Sequence, residues 1–343
     1  MSLPVPAAAA WDGALDLADG ARGRLLRSVG RPLRGLLIDR EARVAATGTL
    51  LIGVALASAA TFPLWMLAVA PFIWGVPHLL ADLRYLVVRQ GLQRRWWLLG
   101  ALAVAVGAAA SGLGVRASLP VAFGLACIVP GPWRRRVPLL LALGGGTALA
   151  LRAGPAADVA LAHLHNLAAL AYWWAWRDRD RWLHLLPVAA FVLGGVFLLS
   201  GGAGPILAAS GGLAAPADAL SLDALAWTLA PVANAELAER LVLFYAFAQG
   251  VHYVAWLHLV PQEDRARPVG RSFRRSWQAL RVDLGPWLLT AALLAGIGLA
   301  AWALVDLTEA RNRYFQLAFF HAHMELLIWP VLALRGLRSA AGA

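Results

Sequence analysis

The 343-residue chain is 60% hydrophobic and only 14% charged, with a mean hydropathy of +0.66. A soluble protein of this size needs more charge to wet its surface, so the composition excludes a soluble globular class. The net charge of +11 comes from arginine alone, without lysine. These arginines lie between apolar runs, where they mark topology and lipid headgroup contact and not nucleic acid.

A single cysteine, Cys127, excludes an intramolecular disulfide and a thiolate metal cluster. The apolar stretch 5–10 precedes the basic residues of the N-terminal arm, the reverse of a secretory signal.

Taken in chain order, residues 1–43 read as an Arg-rich amphipathic segment on the cytoplasmic surface. Residues 44–338 read as one transmembrane helical domain, an all-α polytopic bundle of about ten spans. The expected spans are 44–61, 62–87, 96–113, 118–132, 137–152, 157–176, 182–200, 238–260, 286–305 and 315–334. Arginines alternate with these spans. They fill the N-terminal arm (Arg22 to Arg43), then Arg89/Arg94/Arg95, Arg134–Arg136, Arg177/Arg179/Arg181, the 262–283 segment and the tail Arg335/Arg338. The positive-inside rule then places both termini in the cytoplasm and the chain in the cytoplasmic (inner) membrane. The long external segment 201–236, rich in Gly, Ala and Ser with Pro205, Pro216 and Pro231, is expected to be a loose linker; a short amphipathic cover is the alternative.

All eight histidines fall in or beside these spans, where ionisable groups face a bundle interior or a cavity. In the second span, Pro77 disrupts the helix and Gly75 admits a neighbouring backbone. His78 and Asp82 share a face at i, i+4, so Asp82 is a ligand, or orients the His78 ring, or pairs with Arg84 or Arg89. His163-Leu164-His165-Asn166 follows in the sixth span, with His165 the deeper histidine; His184 reads as interfacial. In the eighth span Tyr245, Gln249, His252 and Trp256 form a polar stripe, and His258 sits at its end. In the tenth span His321 and His323 are ~200° apart, so one face holds only one of them. Either His321 and Glu325 form a ligand pair while His323 bonds another helix, or His323 shares the inward face with Gln316.

The expected metal ligands are therefore His78, His165, His252, His321 and His323, with Asp82 and Glu325 as ligands or partners of ligands. Tyr253 and Gln249 are expected to border a substrate cavity. This imidazole and carboxylate set suits a metal ion, foremost Fe(II) with open positions for oxygen chemistry. Two alternatives use the same residues: haem b held by two axial histidines, and a proton- or metal-coupled transporter. A third, in which the histidines only pack helices, predicts changes in stability alone. Counted along straight helices, these histidines lie at two depths roughly 10 Å apart.

The segment Gly75-x-Pro77-His78-x-x-x-Asp82 resembles a signature of the Brp/Blh family of membrane β-carotene 15,15′-dioxygenases. The resemblance implies a polytopic iron enzyme that cleaves a carotenoid, with His78 an iron ligand and Asp82 its partner. It also implies a lipid-soluble substrate drawn from the surrounding lipids.

Overall fold

A computed structural model describes residues 5–28, 34–176, 181–231, 233–265 and 271–336. Arg31, Arg177, Arg179, Arg267 and Arg338 of the basic segments lie outside the described residues. The described chain is helical, without strands among the described residues. Its principal helices are α1 (Val5–Ser28), α2 (Arg40–Thr61), α3 (Pro63–Val88), α4 (Trp96–Leu113), α5 (Val115–Ile128), α6 (Trp133–Ala153) and α7 (Ala156–Ala175). They continue with α8 (Trp182–Leu199), α9 (Gly204–Ser210), α10 (Leu222–Leu229), α11 (235–263), α12 (Phe273–Leu284), α13 (Pro286–Ala303) and α14 (Leu307–Arg335).

Every expected span falls on a helix. Seven of these (α2, α3, α4, α6, α8, α13 and α14) are long and apolar enough to cross a membrane. The other three fall short for visible reasons. Helix α5 has only 14 residues. Helices α7 and α11 are diluted by His163, His165 and Asn166, and by Glu239, Arg240, Gln249 and His252.

The outer surface keeps large apolar side chains, including Leu50, Val104, Leu141, Leu149, Leu193 and Leu294. In a hydrocarbon solvent this is the favoured arrangement. Exposed tryptophans sit at helix starts beside the basic segments: Trp96, Trp133, Trp182 and Trp287. That is the position of an interfacial aromatic belt.

The basic segments also bond to one another. Arg40 donates to the Arg265 carbonyl and Arg43 to Gln262 (3.4 Å). Arg181 pairs with Asp39 and Glu41, Arg89 with Asp264 (2.9 Å) and Arg84 with Asp283 (2.8 Å). Chain segments up to 258 residues apart in sequence thus gather at one end of the bundle. There, α1 packs on the amphipathic α12 through Trp11 and Trp277, and Arg274 pairs with Asp16.

The segment 201–236 departs from the linker expectation. It folds into α9, a 3₁₀ turn at Asp218–Leu220, and α10. Leu207, Leu220 and Leu225 are buried against the bundle. Gly211, in left-handed backbone (φ 64°), ends α9, and the Ser221 side chain caps α10 at Ala224 N. Leucines spaced among many small residues are enough to anchor a cover that low complexity disguised.

Candidate metal centre

Four helices converge on one buried centre, and two of them bend to reach it. In α3 a π-helical turn at Pro71–Gly75 precedes His78, and another follows Asp82 at Leu83–Val88. In α11 a π turn at Ala255–Leu259 follows His252. Each wide turn rotates the residues beyond it relative to an ideal helix, a distortion frequent at functional sites. Gly75 is required where α3 meets α14: a Cβ there would collide with the Tyr314 ring. The close neighbour is thus a side chain, where sequence reasoning expected a backbone.

The histidines expected at two depths meet at one place. His78, Asp82, His252 and His321 each offer a ligand atom, and these atoms all lie within 4.8 Å of one another. Ligands opposite each other across a transition-metal ion stand ~4.2 Å apart, from bonds of ~2.1 Å. His165 closes the ring of imidazoles. Its centroid is 4.9 Å from that of His252 and 5.1 Å from that of His321, while His78 is 5.3 Å from His252 and 5.1 Å from His321.

The backbone fixes the orientation of three of these rings. Nδ1 of His78 faces the Trp74 carbonyl (3.3 Å), Nδ1 of His165 the Ala162 carbonyl (3.0 Å), and Nδ1 of His321 the Ala318 carbonyl. With Nδ1–H donating to a carbonyl, the Nε2 lone pair is left for a ligand, the usual arrangement around a metal-bound histidine. Nε2 of His321, both nitrogens of His252 and both carboxylate oxygens of Asp82 are buried without a hydrogen-bond partner among the described residues. Unmet buried polar atoms are costly singly, and here they belong to three neighbouring residues that, with His78, each offer one ligand atom within 4.8 Å of the others. The group could hold a metal ion.

Asp82 has no solvent exposure and does not pair with Arg84 or Arg89, which are bound to Asp283 and Asp264. It lies instead against the Glu325 carboxyl. Two carboxyl groups packed together away from water need a cation or a proton between them. Glu325 stands one step outside the four-residue group. Its Oε1 accepts from Trp256 Nε1 (3.0 Å), and its backbone carbonyl accepts from the Tyr172 hydroxyl (2.7 Å).

His323 is a correction to the expected ligand set. It leaves the imidazole ring of the centre and bonds Ser118 Oγ on α5 (2.7 Å), against the Phe319 ring. Two residues along a helix rotate a side chain by ~200°, so His321 and His323 divide the two tasks. The inward face shared by His323 and Gln316 is not formed, and Gln316 accepts from Arg313 instead. Outside the centre, His163 bonds the Leu229 carbonyl (2.9 Å), His258 meets Thr47 (2.7 Å) and His184 packs on Trp174.

A cavity of about 430 Å³ borders the four imidazoles. Gln249 and Tyr253 are among its lining residues, and the Gln249 amide donates to the Tyr253 hydroxyl (3.1 Å). Tyr253 also packs on His78, with ring centroids 4.8 Å apart. Sequence reasoning missed Tyr314 and Asn166 on the same wall. Asn166 was legible as the polar neighbour of His165, whereas Tyr314 carried no local signal. Two apolar grooves abut this cavity and share a wall residue with it. One shares Tyr253 with it and runs along Val54, Trp65 and Ile73; the other shares His165 and runs along Leu119, Leu149 and Leu164.

No family model, curated protein or solved structure matches the chain. The chemistry of the centre has to be read from its own atoms.

Proposed function

We propose that the chain is a membrane-embedded metalloenzyme, an iron-dependent oxygenase acting on a hydrophobic substrate such as a carotenoid. One observation carries the reading: His78, Asp82, His252 and His321 each offer a ligand atom within 4.8 Å of the others, and Asp82, His252 and His321 hold buried atoms without a hydrogen-bond partner among the described residues. The set is nitrogen and oxygen only, which suits iron and leaves positions facing the cavity for oxygen and substrate. When bound, such an ion supplies oxygen activation and Lewis acidity.

The chain's own residues supply the rest. The apolar grooves admit a lipid-soluble molecule sideways from the bilayer and exclude water. Tyr253, Gln249 and Tyr314 offer neutral hydrogen-bonding groups, which hold a hydroxyl or carbonyl and not a charged head. The Gly75-x-Pro77-His78-x-x-x-Asp82 resemblance agrees with this assignment, since both residues it points to face the centre.

Imidazole centroids 4.9 to 5.9 Å apart, mutually tilted or edge-on, favour a bare ion over a porphyrin, which needs a flat slot between two axial rings. A single centre likewise favours catalysis over a transport path with two polar stations. In this reading all ten apolar helices cross the inner membrane, and the Arg-rich end, with both termini, faces the cytoplasm.

The test is metal analysis by mass spectrometry, with an absorption spectrum, on detergent-purified wild type and His252→Ala. Near-stoichiometric iron without a Soret band, lost in the variant, is expected. Oxygen uptake with a carotenoid substrate should then depend on that iron. Metal-free wild type from metal-replete cells, with a folded variant, overturns the reading.

A further inference from the structure

A cleft larger than the imidazole cavity lies on the opposite side of α3 from the imidazoles. It encloses about 720 Å³ between α3, α12 and α13, with Val76, Leu80, Trp256, Trp277, Leu289 and Gly296 among its walls. On α13 its surroundings are open to the apolar belt, where Leu293, Leu294 and Ile297 are exposed. At its other end stand three arginines, Arg84, Arg265 and Arg271.

These arginines are not equivalent. Arg84 is neutralised by Asp283 (2.8 Å). The Arg265 guanidinium meets Gln262 Oε1 (2.9 Å), and the charges around it, on Arg43, Arg271 and Arg40, are cationic. Burial and these neighbours push Arg265 down to about 10. Two acids of this end are committed elsewhere, Asp264 to Arg89 and Asp19 to the backbone of Phe273 and Arg274. Arg271 has no carboxylate partner among the described residues; its carbonyl is held by Arg22 (2.7 Å). Two guanidinium groups without a carboxylate partner among the described residues therefore close one end of an apolar cleft, at the level of the aromatic belt.

We propose that this cleft binds one anionic phospholipid of the surrounding leaflet, its acyl chain between α3 and α13 and its phosphate on Arg265 and Arg271. The tail requires an apolar slot open to the bilayer, and the head requires cations without a carboxylate partner at interfacial depth; the cleft provides both. Guanidinium groups bind phosphate oxygens through several donors, and the double charge selects a lipid with net negative charge over a zwitterion. The bound chain packs on Trp256, the donor to Glu325, and braces the back of the helix that carries His78 and Asp82.

The test uses the full chain in detergent, stripped of co-purified lipid and titrated with phosphatidylglycerol, phosphatidylcholine or palmitate. Native mass spectrometry reads the adducts and a melting curve reads stability. Wild type is expected to hold one phosphatidylglycerol, at least fivefold over phosphatidylcholine, with a raised Tm. The double variant Arg265→Gln/Arg271→Gln should fall to the phosphatidylcholine level. Gly296→Trp, which fills the slot and leaves the arginines intact, should lose both lipids. Should the double variant fail to fold, Arg265→Gln alone, with a partial loss, serves the same purpose. Equal retention of both lipids by wild type, unchanged adducts in the variants, or full displacement of phosphatidylglycerol by palmitate overturns the proposal.

Discussion

His252 has two buried ring nitrogens without a partner, whereas His323, on the same cavity wall as His321, has Ser118. That contrast separates a ligand from a packing residue. Substituting His252 or His321 by Ala is expected to reduce bound metal at least tenfold, by loss of one donor from the set. His323→Ala should keep its metal and lose about 1 kcal/mol of stability with the Ser118 bond. Metal content and melting temperature measured on the same preparations distinguish the two; equal metal loss in His323→Ala would contradict the assignment. Trp256→Phe tests the neighbouring carboxyl. It removes the donor to Glu325 Oε1 and leaves a small void at a fully buried site, so the cost should exceed the ~1–3 kcal/mol of an unmet buried oxygen alone.

Helices reach the centre by being irregular. Three π turns flank the centre in α3 and α11, and His78 and His252 meet His165 and His321 in one place, where counting along straight helices leaves them at two depths. Gly75 makes the fit of α3 on α14 tight, so Gly75→Ala is expected to force the Tyr314 ring away, at a cost of about 1–3 kcal/mol. A Gly75→Ala variant with unchanged Tm would argue against this contact. At the basic end, the Arg181 guanidinium beside Asp39 holds its carboxyl below the ordinary value of 3.8. A depressed carboxylate stabilises the folded state above that ordinary value and loses its contribution as pH falls through the folded value. The pair is partly exposed, so Asp39→Asn should cost under about 1 kcal/mol at pH 7. That difference should fade in acid below pH 3.8.

Across the whole molecule, apolar side chains face outward while the polar atoms with unusual demands are gathered at one interior centre and one basic end. The α1–α12 pair rests on the Trp11–Trp277 contact, on the Asp19 bonds to the Phe273 and Arg274 backbone, and on Arg274 with Asp12 and Asp16, an ion-paired set whose side chains are substantially exposed. Salt screens such pairs, so trypsin should cut at Arg274 and Arg275 faster as ionic strength rises. Asp16→Asn should be cut faster at low salt and show a flatter dependence on it. A salt-independent cleavage rate in wild type would mean that the tryptophan contact and the hydrogen bonds of Asp19 and Arg22 hold α1 without the Arg274 ion pairs.

Hydropathy and the alternation of arginines determined, from sequence alone, an all-helical chain with apolar segments long enough for a bilayer. Solvent preference is a local property of each stretch, and its order along the chain survives folding. The i, i+4 spacings of His78 with Asp82 and of His321 with Glu325 were legible for the same reason: helix geometry fixes which neighbours share a face. What the sequence left open was everything set between helices. The choice of His321 over His323, the pairing of Asp82 with Glu325, the bond from Trp256 and the approach of Tyr314 to Gly75 depend on rotation about helix axes. Neighbouring helices and π turns impose that rotation, and no local period records it. The segment 201–236 shows the same limit, since its few leucines acquire an inward face only once a bundle exists for them to cover. Periodicity places residues on a helix, and only packing decides which side becomes the inside.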